Sequence, residues 1–225
     1  MIVSHEHKFI YIKAFKVAGS SVLHSLAQQC ARDDRVAQPV ELRKKKRYER
    51  NLNGLRVHSL PVAIRQDVGK EIWNSYTKIA VTRNPWDCLV SMYWFGNSKK
   101  NRVRHKKHKK AKERVGDCPD YVAEFRRFVA KTHFANPFNR NHLFWNRNDP
   151  VADIYLRFES LQDDYNKLCR KLKLRVTELP RLKSKYRKPK LHYSEYYDDA
   201  SIEVVRKKWK WEIEFFNYHF DDRRF

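Results

Sequence analysis

Residues 9–21 read FIYIKAFKVAGSS, and a helix-like segment from Val22 to Cys30 follows them. The apolar run at the start predicts a buried strand, and a turn of small residues leads from it into the helix. The turn carries Lys16, and two serines stand at the helix start. Backbone amides at a helix N-terminus face and attract an anion. This strand–loop–helix therefore predicts a phosphate or sulfate site, with an ordinary strand-to-helix turn as the alternative.

The position of the lysine excludes two common phosphate loops. A Walker loop places its lysine after the second of two glycines. Here Lys16 comes three residues before Gly19. A dinucleotide-binding loop needs three glycines in the pattern G-x-G-x-x-G, and Gly19 stands alone.

A second strand–turn–helix begins at Lys78. The run Lys78–Thr82 predicts a short buried strand, and the segment from Cys88 to Phe95 predicts a helix. Arg83 and Ser91 are eight residues apart, so the strand end and the second helical turn can converge on one ligand. A guanidinium and a hydroxyl suit a phosphate monoester. The alternative is an arginine that only braces the turn beside a packed serine.

Together the two segments resemble the sulfotransferases that use 3′-phosphoadenosine 5′-phosphosulfate (PAPS), in particular the carbohydrate O-sulfotransferase branch. That family shows a P-K-T-[GA]-[GT]-[ST]-like loop and, downstream, an R-N-P-[WYF]-[DE]-x-x-x-S-x-Y segment. The second pattern is nearly complete in residues 83–93, RNPWDCLVSMY. The first departs twice, because Phe15 replaces the usual proline and Val17 the usual threonine.

The resemblance continues over most of the chain in the expected order, through residues 58–87, 156–165 and 193–220. It implies an α/β fold: a single domain over residues 1–225, with a mostly parallel central sheet flanked by helices. A P-loop-like loop that binds the 5′-phosphosulfate would follow the first strand. Residues 96–119 would form a basic, flexible insertion.

The resemblance also implies a donor and a set of ligands. The cofactor would be PAPS, the product adenosine 3′,5′-bisphosphate, and no metal would be required. Lys16 would stabilise the leaving 5′-phosphate, which the loop residues cradle, and a second group would hold the 3′-phosphate. The loop residues are Lys16, Val17, Ala18, Gly19, Ser20 and Ser21, and the second group is Arg83, Ser91, Lys185 and Arg187.

A hydroxyl acceptor needs a general base. His58 is the first candidate, because it lies in the family-like stretch and histidine exchanges a proton near neutral pH. The alternatives are Glu159, His133 and His142, and a purely structural histidine at a helix entrance remains open for His58 itself.

The chain is strongly basic, with a formal net charge of +23 and a pI near 10.0. The charge concentrates in residues 43–50, 99–114 and 181–190. These segments predict either solvated loops or a track for a polyanion.

The alternative functions are a polyanion- or nucleic-acid-binding protein, or a P-loop-type phosphotransferase. As a sulfotransferase, the chain would act on a hydroxyl of an acceptor, most simply an anionic carbohydrate. A small alcohol, a lipid glycan and a tyrosine are the alternative acceptors. Nucleic acid is not expected as substrate.

Composition agrees with one globular unit, since 41% of the 225 residues are apolar. No apolar run approaches the about 20 residues of a membrane span, and no signal-peptide core follows Met1. The four cysteines are scattered and form no C-x-x-C pair, which favours a reducing compartment. We expect a soluble cytoplasmic protein of bacterial or viral type, or a Golgi-lumen protein if the chain is a trimmed form. The sequence does not predict an oligomeric state.

The predicted strands and helices alternate, which favours a parallel sheet with ligands at the carboxyl ends of its strands. The predicted strands are 8–12, 78–82 and 154–158, and the predicted helices are 20–30, 61–70, 88–95, 120–132, 162–172 and 200–216.

Overall fold

The main sheet contains five strands of the described residues, which are β1 Ile2–Ser4, β2 Phe9–Ile12, β3 Arg35–Val36, β4 Thr77–Thr82 and β7 Ile154–Arg157. Their order across the sheet is β3-β1-β2-β4-β7. The computed structural model describes residues 1–38, 49–97, 121–131, 137–146, 149–182, 187 and 191–224. Within them the chain forms two compact units, the first from Met1–Arg83 and Asn139–Leu182, the second from Asn84–Phe138 and Lys183–Phe225.

The middle of the sheet is parallel, as the alternation of strands and helices predicts. β2 pairs with β4 in the register Tyr11 opposite Ile79, and β4 pairs with β7 in the register Thr82 opposite Arg157. The α/β fold class is thereby confirmed. The antiparallel β1 was not predicted; it pairs with β2 through a short turn at residues 5–8 and with β3 on its other side. Its three residues are fully buried, because the strand lies inside the sheet and not at its edge.

Four α-helices, a 3₁₀ turn at Phe158–Ser160 and a hairpin of the described residues complete the first unit. α1 (Gly19–Ala27) follows β2, α2 (Pro61–Ser75) precedes β4, and α6 (Leu161–Lys171) follows β7, as predicted. α2 begins with a proline at its first turn, where the missing N–H costs nothing. α6 carries acids in its first turn and bases in its last, which suits the helix dipole. The elements are α1 Gly19–Ala27, α2 Pro61–Ser75, α5 Arg140–Leu143, α6 Leu161–Lys171, β5 Phe144–Asn146 and β6 Asp149–Pro150.

The second unit is helical over its described residues and has an aromatic core. Tyr197 donates a hydrogen bond of 2.8 Å to the Trp86 carbonyl, and its ring meets Phe125 and Phe220 edge-on. The elements are α3 Pro85–Gly96, α4 Tyr121–Lys131, a 3₁₀ turn Tyr193–Tyr196, α7 Asp199–Lys208 and α8 Lys210–Phe215.

Two predicted helices differ from the structure. The prediction of one helix over 200–216 is wrong, because Trp209 leaves the helical region at φ −104° and ψ 18° and buries its ring against Phe138. The first helix ends at Ala27 and not at Cys30. The predicted insertion 96–119 falls almost wholly outside the described residues, and the single-domain boundary 1–225 stays a prediction.

Candidate active site

The loop between β2 and α1 passes twice through left-handed backbone at residues other than glycine. Lys16 has φ 61°, and Ala18 has φ 59° and ψ 12°. Such residues are held in this conformation only when their surroundings require it. A left-handed residue followed by a helical one turns successive N–H groups towards one point, which makes an anion-binding concavity. Ala18 is also the N-cap of α1 and supplies no side-chain cap, while its carbonyl accepts from the Ser21 amide at 2.9 Å. The start of α1 thus follows this concavity directly, where the helix dipole favours an anion.

Gly19 serves packing and not backbone freedom. It is the first residue of α1, and its φ is not positive. A Cβ at this position would lie 2.9 Å from the Tyr11 hydroxyl and 3.2 Å from Lys13 Cγ. The buried Tyr11 hydroxyl donates a hydrogen bond of 3.1 Å to the Gly19 carbonyl. The small residue therefore lets the start of α1 sit directly on the end of β2.

Two side chains from elsewhere in the first unit brace the loop. The buried Asn139 accepts from the Phe15 amide at 2.7 Å and donates to the Phe15 carbonyl at 2.9 Å. Arg83, directly after β4, donates to the Lys16 carbonyl at 2.8 Å, and its guanidinium carbon lies 3.8 Å above the Phe158 ring. The loop conformation is thus fixed by contacts on both sides of Lys16.

A cluster of basic side chains lies beside this loop, between β2, the residues before α2, and α5. His58 Nδ1 lies 2.8 Å from the Lys13 carbonyl, and its Nε2 lies 3.2 Å from Lys13 Nζ. Its ring stacks on Phe15 at 3.9 Å and 8°. His142 meets both rings edge-on, and its Nε2 lies 3.3 Å from the His58 carbonyl.

Both histidines of the cluster are held neutral. Burial, followed by the Lys13 ammonium, lowers the pKa of His58 to about 3. Burial is also the main cause that lowers the pKa of His142. A neutral imidazole is the form that accepts a proton, although a pKa this low makes His58 a weak base.

The remaining predicted donor ligands fall in the second unit or outside the described residues. Asn84 caps α3 by accepting from the Trp86 amide at 3.1 Å, which sets the start of the helix that carries the half-buried Ser91. Arg187 Nη1 lies 3.1 Å from Asp87 Oδ1, also on α3. Arg83 belongs to the first unit, so its convergence with Ser91 stays a prediction. Lys185, His133 and nearly all of the three basic segments lie outside the described residues.

The serines of the loop lie at the N-terminus of α1, as predicted. Ser20 and Ser21 are both buried in its first turn. The Ser21 hydroxyl accepts from the Leu182 amide at 3.4 Å. The basic segment 181–190 therefore starts beside the loop.

Lys13 and Asn139 are the site residues that sequence reasoning missed. Lys13 directly follows the apolar strand, and a lysine at that place, where ligands gather, is a signal that the sequence offers. Its burial is seen only in the structure. Asn139 gives no local signal, because its contact with Phe15 joins residues 124 apart.

The sulfotransferase family model matches residues 1–219. The chain belongs to the sulfotransferase family. It is therefore a transferase that moves sulfuryl groups, and sulfotransferases of this family generally use PAPS. No curated protein and no solved structure is significantly similar to this sulfotransferase.

None of the sulfotransferase's described helices is both long enough and apolar enough to cross a membrane. Its described histidines, cysteines and acids include no group of three that could hold a metal ion.

Proposed function

We propose that this sulfotransferase transfers the sulfuryl group of PAPS to a hydroxyl of a carbohydrate acceptor. The observation that carries the proposal is the doubly left-handed, uncapped loop with Lys16 at the carboxyl end of a parallel strand. A loop of this shape offers amides to a phosphate, and the lysine adds the charge that the reaction needs.

The transfer is an in-line displacement in which charge grows on the leaving phosphate. The acceptor oxygen forms a bond to sulfur while the bond from sulfur to the bridging phosphate oxygen breaks, leaving adenosine 3′,5′-bisphosphate. Catalysis of such transfers depends on positioning and on cations placed where charge develops. In our proposal Lys16 stabilises the bridging oxygen, and the amides and hydroxyls of residues 17–21 hold the 5′-phosphate.

The 3′-phosphate is assigned to Arg83, Ser91, Lys185 and Arg187. For Arg83 the support is its place beside the loop and a guanidinium that suits phosphate geometry. For Ser91 the support is its spacing from Arg83 together with the resemblance, and for Lys185 and Arg187 it is the resemblance. Arg187 pairs with Asp87, so a phosphate there would compete with that carboxylate.

The proton of the acceptor hydroxyl is assigned to His58 Nε2. The O–H bond breaks, an N–H bond forms on the ring, and water takes the proton in a later step. The neutral ring and its position beside the phosphate loop support this role. Its contact with Lys13 means that the hydroxyl reaches Nε2 only by taking the place of the ammonium.

An exposed aromatic surface of the first unit supports a carbohydrate acceptor. Trp145 on β5 is 36% exposed, packs edge-on against the buried Trp73 of α2 at 5.5 Å, and lies 5.9 Å from the Arg65 guanidinium carbon. Trp145 follows His142 by three residues, and Arg65 follows His58 by seven. A fixed aromatic face suits the apolar face of a sugar ring, and an adjacent guanidinium suits a carboxylate or sulfate on it.

Transfer of labelled sulfate from PAPS to a panel of oligosaccharides tests the proposal. We expect transfer to sugars that carry uronic acid or sulfate in preference to neutral ones. Lys16→Met should lower turnover at least a hundredfold, because a charge that stabilises the leaving group is lost. Lys70→Met, which removes an exposed lysine from α2, is the matched control and should keep full activity. Undiminished turnover in Lys16→Met would remove Lys16 from the mechanism.

A further inference from the structure

Lys13 contacts both ring nitrogens of His58, one through its main chain and one through its side chain. The Lys13 carbonyl lies 2.8 Å from Nδ1, and its Nζ lies 3.2 Å from Nε2. Lys13 is only 4% exposed and directly follows β2. Its stem passes within 3.2 Å of the position that a Gly19 Cβ would take, so one residue links the phosphate loop to the histidine.

These two contacts determine where the His58 proton lies. A carbonyl oxygen only accepts hydrogen bonds, so Nδ1 must carry the proton. An ammonium only donates, so Nε2 must present its lone pair. The ring is therefore held as the Nδ1–H tautomer, with its basic nitrogen turned to the lysine.

The other titratable groups around the ring, like Lys13, lower the pKa of His58. The α-amino group of Met1 and the side chain of His142 both disfavour a positive charge on His58. The His142 ring is 4% exposed and 6.5 Å away, and the Met1 amine donates to the Val57 carbonyl next to His58. Phe15 covers one face of the ring. Every described titratable group that faces His58 is thus a base.

We propose that Lys13 is a positioning residue for sulfuryl transfer: it fixes Nε2 as the accepting nitrogen of His58 and keeps the ring neutral until an acceptor hydroxyl replaces the ammonium. The role of His58 as the base rests on the proposed function. When Nε2 takes the hydroxyl proton, the imidazolium lies beside the displaced ammonium. Repulsion between the two charges then favours loss of that proton to water, which restores the neutral ring.

Histidine-labelled NMR of the wild-type protein tests the proposal without any substrate. We expect His58 to show the Nδ1–H tautomer and to stay neutral down to pH 4.5. In Lys13→Met the two tautomers should mix and the pKa of His58 should rise by at least one pH unit. Lys13→Arg, which keeps the charge, and Lys70→Met, which removes a distant one, should leave the pKa within 0.3 units of the wild type. A wild-type His58 that titrates near 6.5 or carries its proton on Nε2 would overturn the proposal even if Lys13→Met does not fold.

The pH dependence of kcat adds a readout that a merely structural lysine would not change. In Lys13→Met, kcat should fall tenfold per pH unit below the raised pKa of His58, whereas the wild-type profile should be level there. Identical profiles in the two proteins would overturn the positioning role. If the NMR result is as expected and the wild-type protein transfers no sulfate from PAPS, the proposed function fails while the Lys13–His58 contact stands.

Discussion

Phe15 occupies the position of the proline in the family pattern, and it makes two contacts that a proline could not make. Its amide donates to the buried Asn139, a bond that proline cannot make because it lacks the N–H. Its ring stacks on His58. The departure from the family pattern is therefore matched by two contacts that hold the loop and the candidate base together.

Phe15→Pro should destabilise the first unit. The Asn139 amide oxygen would lose its donor, and an unsatisfied buried polar group costs about 1–3 kcal/mol. Urea denaturation measures the change in the free energy of unfolding. Phe15→Tyr keeps both the amide and a ring and should stay within about 0.5 kcal/mol of the wild type. Equal stability of Phe15→Pro and the wild type would show that the Asn139 bond is not formed in solution.

The neutral histidines predict a loss of stability in acid. The pKa of His58 is about 3 in the folded protein against an ordinary value of 6.5, so the unfolded chain binds more protons between these values. The contribution of His58 to the free energy of unfolding is fully present above pH 6.5 and decreases as the pH falls towards 3. Each such histidine contributes a slope of up to about 1.4 kcal/mol per pH unit.

Urea denaturation of wild type and His58→Gln between pH 7 and pH 4 measures this contribution. Glutamine keeps a donor and an acceptor but does not titrate in this range. The wild-type free energy of unfolding should decrease more steeply than that of the variant. Parallel curves would contradict a buried neutral His58.

In the segment formed by β2, the following loop and α1, the left-handed residues are Lys16 and Ala18, and the close packing is at Gly19. The sequence predicts a small-residue turn but not this division of roles, because left-handed backbone is ordinarily assigned to the glycine. The hydroxyl of Tyr11, eight residues earlier in β2, occupies the space that a Gly19 side chain would need.

Gly19→Ala should therefore destabilise the protein by about 1–3 kcal/mol, as overpacking does. Tyr11→Phe removes the hydroxyl that lies 2.9 Å from the new methyl group, so the double variant should recover part of the loss. A double-mutant cycle in urea measures the coupling. If the changes in the free energy of unfolding for the two substitutions simply add, then the approach of the Tyr11 hydroxyl to position 19 is not the reason that this position requires glycine.

Over the whole chain, the sequence predicts those strands and helices whose formation depends on neighbouring residues. The strands around residues 9–12, 77–82 and 154–157 and the existence of α1 and α3 follow from apolar runs and turn residues, although α3 begins at Pro85 and not at Cys88. The antiparallel β1 was missed because a strand of three residues is too short to show a strand pattern. The break at Trp209 was missed because the burial of its ring outweighs the helical pattern around it.

The residues of the candidate site likewise fall into those that the sequence indicates and those that depend on distant contacts. Lys16 and its loop were found from residue type and spacing, whereas Lys13 and Asn139 act through partners 45 and 124 residues away. No periodicity reports contacts at such separations. The neutral state of His58 likewise depends on burial and on three basic groups from distant parts of the chain, namely the Met1 amine, Lys13 and His142.

Calorimetry with adenosine 3′,5′-bisphosphate tests the central claim most directly, because the reaction product binds without any knowledge of the acceptor. The bisphosphate should bind at least tenfold more tightly than ATP with magnesium, and Lys16→Met should weaken its binding while Lys70→Met should not. Tighter binding of ATP with magnesium, or no binding of the bisphosphate by the wild-type protein, would show that the loop is not a PAPS site.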